Sequence, residues 1–508
     1  MKRLNILNII IVSLLLIIFQ SCKDSLTETP HNGGTFQQAV SSPNNLKIAT
    51  NGAYGLMEPY APGFWRPYSN FITDMGTAPS DNVSLGVTTP DPIQHSFDYQ
   101  RSVSSGNILA FWRRSYKIIY TANQNIQGAD KMLNGSGLSS SDMTDVKQLK
   151  GENLFLRAKT YFDLVRVFGR PYSQNPSQNL GVPVVTQPKN DIKPKRATVK
   201  AVYKQIVSDL KSAASLMTKR ESSSYGSKPA AEALLSRVYL YMGDNQNVIT
   251  YADKVINSGR YQLLSTQDYP KMFSMGNVNN PEDIFAVNHA KNQSFKWDSY
   301  SSLYYTDPSG VGWGQWFAST ALVNLLNEHP NDIRRTFIDP QYNINSNGDT
   351  TGVKTLNDVP EYFITKFTGK FGQSHNSDMV YMRYAEVFLN RAEAYAKLNM
   401  DSKAIADVNK IRKRAGLQDS AMYNASNMTQ KQVLNAVLKE RRLEFYEEGH
   451  RAFDLYRNNL PMQRNYPSVV GGHMTVQPDS YNIIWPIPKN AIFRNPNLKQ
   501  NPGYGSGS

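Results

Sequence analysis

One set of spaced residues occurs twice in this 508-residue chain and constrains its fold more than any other feature. Each copy has a tyrosine, a turn residue four positions later, and then three small or β-branched apolar residues. The copies lie 156 residues apart and consist of Tyr239, Gly243, Val248, Ala252 and Val255, and of Tyr395, Asn399, Ala404, Val408 and Ile411. Glycine and asparagine adopt left-handed turns readily, so each copy predicts two helices joined by a tight turn.

A third copy of the first helix lies upstream. Residues 157–161 read RAKTY and match residues 391–395, which read RAEAY. Small residues let paired helices approach closely and the tyrosine fills the gap between pairs, a spacing that resembles the tetratricopeptide repeat. Long stretches of sequence separate the copies, which excludes a plain solenoid. We therefore expect a mainly α fold, in which a divergent tetratricopeptide-like scaffold of helical hairpins carries a large loop-rich insertion.

The N-terminus has the features of an export signal. Lys2 and Arg3 precede a mostly apolar run at residues 9–19, which is too short to cross a bilayer comfortably. The single cysteine of the chain, Cys22, follows this run, and without a second cysteine it has no disulfide partner within the chain. The pattern resembles a bacterial lipoprotein signal, although Gln20 stands where a small residue is usual. We expect lipidation of Cys22; an ordinary secretory signal with an incidental cysteine is the alternative.

Composition restricts the class of protein. Hydrophobic residues make up 40% of the chain and aromatic residues 11%, which is typical of a folded globular protein with a large core. Beyond the signal, no run approaches the roughly 18 apolar residues that a transmembrane helix needs. The net charge is +14, but the basic residues are dispersed along the chain. An exported chain with dispersed charge is not expected to bind nucleic acid.

The predicted organisation has five parts. Helical spacing is strong at residues 111–132 and 146–168, and Thr198 is a predicted helix cap. In the middle of the chain helical periodicity is poor and aromatic, Asn, Ser and Gly residues are frequent, which predicts long loops, short helices and a few strands inserted into the helical scaffold. The parts are a signal peptide (1–21), a lipid-anchored tether (22–45), an N-terminal helical part (46–258), an aromatic- and loop-rich insertion (259–377) and a C-terminal helical part with a closing motif (378–508).

The C-terminal third contains the most specific motifs. They are ERRLEF at 440–445, EGHR at 448–451, FDLYR at 453–457, WPIP at 485–488, NP at 495–496 and QNPGY at 500–504. In this order, after a lipoprotein signal and divergent repeats, they closely resemble the RagB/SusD family over essentially the whole mature chain. The resemblance implies a SusD-like fold.

The resemblance also implies a function. A member of this family is expected to be a surface lipoprotein of the Bacteroidetes outer membrane that faces the cell exterior and lies over a SusC-like TonB-dependent transporter. Such proteins capture oligosaccharides, or in some members peptides, for import. The family is not known as catalytic, so no enzymatic activity and no cofactor are expected. A peptide-binding or protein-interaction protein that uses the helical repeats is the alternative.

The charged helix at 440–445 has two interpretations. Glu440 and Glu444 lie one helical turn apart, and the arginines between them predict ion pairs within and between helices. Two carboxylates this close could instead serve as the acid and nucleophile of a glycosidase. We favour the structural interpretation, with Gly449 ending the helix in a left-handed turn.

Glycan binding needs flat aromatic rings and planar polar side chains. Two regions supply both, and the family resemblance places ligand residues in corresponding regions. The predicted ligand-binding residues are Trp65, Arg66 and Asn70 in an early loop, and Tyr304, Trp313 and Trp316 in the insertion. The alternative for each aromatic is a buried packing role. Trp112 and Trp485 are interpreted as structural.

Two further patterns bear on the binding site and on metals. Gly310, Gly312 and Gly314 surround Trp313 and predict a flexible, exposed loop. The seven histidines show no ligand-like spacing, so no transition-metal site is predicted. Residues 339–349 hold Asn and Asp around a glycine, but they depart from the EF-hand pattern, and a polar turn is favoured over calcium binding.

Overall fold

A computed structural model describes residues 39–58, 68–89, 92–189, 191–219, 222–292 and 296–505. The predicted signal peptide, Cys22, Trp65 and Arg66 lie outside these residues. Within them, every helix is too short or too polar to cross a bilayer.

The N-terminal half is built mainly from helices. Ser139, Thr198 and Ser227 begin three of them, and each side-chain oxygen accepts a hydrogen bond from the backbone N–H three residues later. The predicted helices at 111–132 and 146–168 are confirmed within longer ones. The elements are α1 Pro43–Gly55, α2 Tyr68–Thr77, β1 Val83–Leu85, α3 Pro92–Phe97, α4 Gly106–Asn134, α5 Ser140–Phe168, α6 Val199–Leu216, α7 Lys228–Met242 and α8 Asn245–Asn257.

The middle of the chain contains short strands separated by loops. The elements are β2 Asp283–Val287, β3 Trp316–Ala318, α9 Thr320–Asn327, β4 Ile338–Pro340, β5 Tyr342–Ile344, β6 Thr350–Val353, β7 Thr355–Leu356, β8 Val359–Pro360, β9 Tyr362–Ile364 and β10 Met379–Arg383. All pairings among them are antiparallel and two-stranded: β1 with β3, β2 with β10, β4 with β9, β5 with β6, and β7 with β8. Of the residues 339–349 predicted as a polar turn, the first part belongs to β4 and β5, and only residues 345–349 form the turn that connects β5 to β6. There Asn345 accepts hydrogen bonds from the N–H groups of Asn347 and Asp349.

The C-terminal part returns to helices and completes the scaffold. Its elements are α10 Tyr384–Lys397, α11 Asp401–Arg414, α12 Gln430–Phe445, α13 Arg451–Arg457, β11 Met462–Asn465, β12 His473–Val476 and α14 Lys489–Arg494. Helices dominate the described residues and the strands are few and short, so the predicted mainly α fold is confirmed.

The predicted helical hairpins are present. The turn between α7 and α8 places Gly243 at φ 75°, and the turn between α10 and α11 places Asn399 at φ 57°. The same kind of ion pair joins the helices of two neighbouring pairs. Arg157 of α5 binds both carboxylate oxygens of Asp209 on α6, and Arg391 of α10 binds both carboxylate oxygens of Asp407 on α11. Each two-pronged contact fixes the rotation of one helix against its partner.

One large hydrophobic core includes residues of the N-terminal helices, of the loop-rich middle of the chain and of the C-terminal helices. Trp112 packs edge-to-face on Phe168 with ring centroids 5.0 Å apart. Trp485 is buried under the guanidinium of Arg101, which lies 5.2 Å from its ring. Both tryptophans therefore have the structural role that was predicted.

A buried ionic cluster surrounds the C-terminal half of α12. Glu440 accepts a hydrogen bond from Arg334 at 2.6 Å, and Glu444 binds Arg383 and Arg414. None of these side chains is more than slightly exposed. Burial alone would raise the pKa of Glu444, but Arg414, Arg383 and Arg334 hold that pKa well below its usual range.

This cluster argues against the glycosidase alternative. A general acid needs a raised pKa and access to the leaving group, whereas Glu444 is held ionised by three arginines and is fully buried. Gly449 has the predicted left-handed conformation at φ 76°. However, α12 has already ended at Phe445, so Gly449 shapes the turn that leads into α13.

Candidate functional site

Two exposed tryptophans meet on the surface of the insertion. Trp297 lies in a short 3₁₀ turn, Lys296–Asp298, and Trp313 lies in the loop before β3. Their ring centroids are 4.9 Å apart and their planes are inclined by 65°. Trp297 is 42% exposed and Trp313 51%, whereas the other tryptophans that the structure describes are buried. We call these two side chains the tryptophan pair.

Hydrogen bonds hold the pair in place. The Trp313 indole Nε1 donates to the carbonyl oxygen of Trp297 at 3.1 Å, and the Ser302 hydroxyl donates to the same oxygen at 2.6 Å. The backbone N–H of Trp313 donates to the carbonyl of Ser302 at 2.6 Å. The two loops are therefore fixed to each other. The exposed faces of the two rings are thus preorganised, so that a ligand would not need to order them on binding.

The loop that carries Trp313 is ordered by one carboxylate. Asp307 accepts hydrogen bonds from the backbone and hydroxyl of Ser309, at 2.9 and 2.6 Å, and from the backbone of Val311 at 3.0 Å. The Ser309 hydroxyl, together with these N–H groups, lowers the pKa of Asp307. His375 anchors the loop from the other side, because its Nε2 lies 2.8 Å from the carbonyl oxygen of Val311.

The glycines beside Trp313 allow a left-handed backbone and close packing of the loop, and do not serve flexibility alone. Gly310, Gly312 and Gly314 all have positive φ, at 82°, 107° and 50°. A Cβ atom at Gly312 would lie 2.2 Å from the carbonyl oxygen of Tyr305. The predicted exposure of Trp313 is confirmed, but the loop is closely packed against its neighbours.

The structure separates the predicted binding residues. Trp313 is exposed, but Tyr304 and Trp316 are each 1% exposed. Trp316 lies in β3 opposite Leu85 and contacts Phe97, with ring centroids 5.4 Å apart. Neither buried ring has a face open to a ligand, so the packing alternative describes both.

The remaining predicted residues do not join the tryptophan pair. Asn70 is fully buried on α2. Trp65 and Arg66 lie outside the described residues. Trp297 completes the pair but was not among the predicted ligand residues; its signal in the sequence was its position at the start of the aromatic-rich stretch, outside any helical periodicity. Among the described residues, no group of three or more His, Cys, Asp or Glu side chains is arranged to hold a metal ion.

A buried carboxyl lies beside the tyrosines that precede Trp313. The Tyr300 hydroxyl donates to the Glu447 carbonyl oxygen at 3.0 Å, and the Tyr300 ring packs on Tyr304. Burial raises the pKa of the Glu447 side chain to about 8. Lys366 opposes this shift, but its ammonium group lies 2.7 Å from Glu448 and forms its ion pair there.

We expect the Glu447→Gln variant to gain stability relative to the wild type between pH 5 and pH 8. The carboxyl has a pKa of 4.5 when unfolded and about 8 when folded, so unfolding releases its proton throughout this range. The stability that this group contributes is therefore complete below about pH 4.5, decreases as the pH rises from there, and is lost once the pH has passed the folded pKa of about 8. The difference in unfolding free energy should grow by roughly 2–4 kcal/mol. Urea unfolding of both proteins across this range measures it, and a constant difference would contradict it.

Comparisons with known proteins agree with this architecture. A model of the SusD family matches residues 314–504, and a model described as starch-binding and associating with the outer membrane matches residues 68–240. SusD-like protein P2 of Formosa agariphila is 26% identical over 96% of this chain and 98% of its own length.

Solved structures extend the agreement to three dimensions. A putative sugar binding protein from Bacteroides vulgatus is 26% identical with a TM-score of 0.77, covering 91% of this chain and 99% of that one. A SusD superfamily protein from Bacteroides thetaiotaomicron is 30% identical with a TM-score of 0.78, covering 91% of this chain and 100% of that one. The hairpin scaffold, the C-terminal motifs and these matches along whole chains lead to one conclusion: the chain belongs to the SusD family.

Proposed function

We propose that this protein is a non-catalytic lipoprotein of the outer membrane surface that captures oligosaccharides for a SusC-like TonB-dependent transporter. The tryptophan pair carries the proposal. Two inclined indole rings, both exposed and both held by hydrogen bonds, form a platform that suits the apolar faces of sugar rings. Relatives described as starch-binding or sugar binding support the ligand class.

The proposed location and delivery rest on other features. Lipidation of Cys22 would anchor the chain, and the description of one matching family model names association with the outer membrane. A transporter beneath the anchored protein would receive the captured ligand. This arrangement needs no cofactor and no bond-breaking step, so the ligand should be recovered unchanged after incubation with the purified protein.

The proposal is tested by replacing the platform. A glycan array first identifies an oligosaccharide that the mature chain binds, and calorimetry then measures the Trp297→Ala, Trp313→Ala double variant. Because each ring supplies contact area and a stacking face, we expect affinity to fall at least about tenfold. Tyr342→Ala, which removes another exposed aromatic ring, should leave affinity unchanged.

The outcomes separate the alternatives. Unchanged affinity in a double variant that still folds would remove the tryptophan pair from the site. Binding of peptides with no binding of glycans would favour the peptide-binding alternative, and hydrolysis of the ligand would contradict the non-catalytic proposal.

A further inference from the structure

A cleft lies between α4, residues 183–189 and 191–194, and the C-terminal helix α14. Its volume is about 360 Å³, and none of its lining residues belongs to the tryptophan pair or its loops. This volume falls within the usual range of small-ligand sites. Most of its lining residues are apolar or aromatic, and its charged lining residues are Arg113, Lys189 and Arg494.

Aromatic side chains of α4 line one wall. Trp112, Tyr116 and Tyr120 are spaced four residues apart and therefore share one face of the helix. The Tyr116 hydroxyl donates to the Pro183 carbonyl oxygen at 2.9 Å, which fixes the orientation of its ring. The buried Trp112 packs against Tyr116, with ring centroids 5.0 Å apart. Tyr116 and Tyr120 are partly exposed and offer flat apolar surface of the kind that sugar rings contact.

The described lining of the cleft carries positive charge and includes no carboxylate. Arg113 and Arg494 both donate to the amide oxygen of Asn490, at 3.0 and 3.1 Å, so two guanidinium groups converge on one neutral atom. Lys189 adds a third cation. None of the three forms an ion pair within the part of the chain that the structure describes. Like charges this close repel each other, and an oxyanion placed between them would reverse the sign of that interaction.

We infer that this cleft is a second glycan-binding site, selective for an acidic sugar unit that carries a carboxylate or a sulfate. The sugar ring packs against the aromatic wall, and its oxyanion binds Arg113 and Arg494. The Asn490 amide group donates to a hydroxyl. Without Lys2 and Arg3 of the signal peptide, the mature chain still has a strongly positive net charge, which attracts such an anionic chain from a distance. This inference rests on the proposed function and specifies its substrate class.

The test compares charged and neutral forms of the same sugars. Calorimetry measures the mature chain with oligogalacturonate and with sulfated galactan oligosaccharides, beside the methyl-esterified and desulfated forms. We expect tighter binding of at least one acidic member than of its neutral counterpart, with an affinity that decreases as salt increases. In the Arg113→Gln, Arg494→Gln variant, binding of the acidic form should weaken about tenfold and binding of the neutral form should not change.

A matched control separates local recognition from total charge. Lys147→Gln, Lys204→Gln removes the same number of positive charges from exposed positions on α5 and α6, outside the cleft. It should bind acidic sugars like the wild type. An equal loss in both variants, or no preference for any acidic member of the panel, would overturn the inference.

The two proposals fail in different ways. If neutral glycans bind through the tryptophan pair and the acidic forms bind no better, only the acidic-sugar inference is wrong. If the wild type binds no oligosaccharide of either kind, the proposed function itself is wrong.

Discussion

Replacing Arg383 with methionine should lower the free energy of unfolding by about 3–5 kcal/mol. Arg383 binds both carboxylate oxygens of Glu448, at 2.7 and 2.8 Å, and also binds Glu444. Its Nη1 lies 3.5 Å from Glu282 as well. All four side chains are nearly or completely buried. Removing the cation leaves carboxylates in a low-dielectric interior with fewer partners, and water cannot replace the missing charge.

Chemical denaturation measures this effect, with Lys439→Met as the control. Lys439 also forms an ion pair, with Glu328, but both side chains of that pair are substantially exposed. Solvent screens such a pair, so its loss should cost less than about 1 kcal/mol. Similar losses in the two variants would show that burial does not determine the strength of the Arg383 contacts.

The Gly76→Ala variant should be destabilised by about 3 kcal/mol or more. Gly76 lies in α2 against Gly449, in the turn before α13. A Cβ atom there would lie 1.9 Å from the Gly449 carbonyl oxygen and 2.4 Å from its carbonyl carbon. Both are backbone atoms, so no side-chain rotation can relieve the overlap and α2 must move away from the turn.

Gly52→Ala is the matched control and should have the opposite sign. Gly52 lies in α1, and a Cβ atom there would meet nothing within 4 Å. Alanine should therefore stabilise that helix by about 0.5–1 kcal/mol. Thermal unfolding of the two variants compares them directly. A Gly76→Ala protein as stable as the wild type would mean that α2 and the turn can separate without loss of packing.

Local sequence predicted the scaffold because its signals act over a few residues. A hydroxyl at Thr198 caps α6 through a bond to the N–H three residues away, whatever the rest of the chain does. Gly243 and Asn399 favour a left-handed turn because glycine and asparagine adopt positive φ at less cost than other residues. The motifs at 440–457 similarly indicated the family. The predicted ion pairs between elements are confirmed, because Arg441 binds Asp454 and Arg442 binds Asp81, but neither of these arginines forms the predicted pair with a glutamate of its own helix in the described residues.

The proposed binding site could not be predicted in the same way. Trp313 and Trp316 lie three residues apart in the same aromatic stretch, yet the first is exposed and the second is buried. The difference arises because β3 pairs with β1, more than 200 residues earlier, and carries Trp316 into the core. Trp297 lies beside Trp313 because residues distant in sequence pack together, and its carbonyl oxygen accepts the Trp313 indole N–H.

By itself, the sequence determined which segments form helices and where the hairpins turn, because propensity, capping and periodicity are properties of neighbouring residues. The family was indicated by the resemblance of the C-terminal motifs and shown by the comparisons with known proteins. Only the tertiary structure decided which aromatic rings face solvent, which carboxyl is buried beside Tyr300, and that Arg113 meets Asn490 across 377 residues of chain. Exposure, pKa and convergence depend on which distant segments pack together, and that packing is a property of the whole fold.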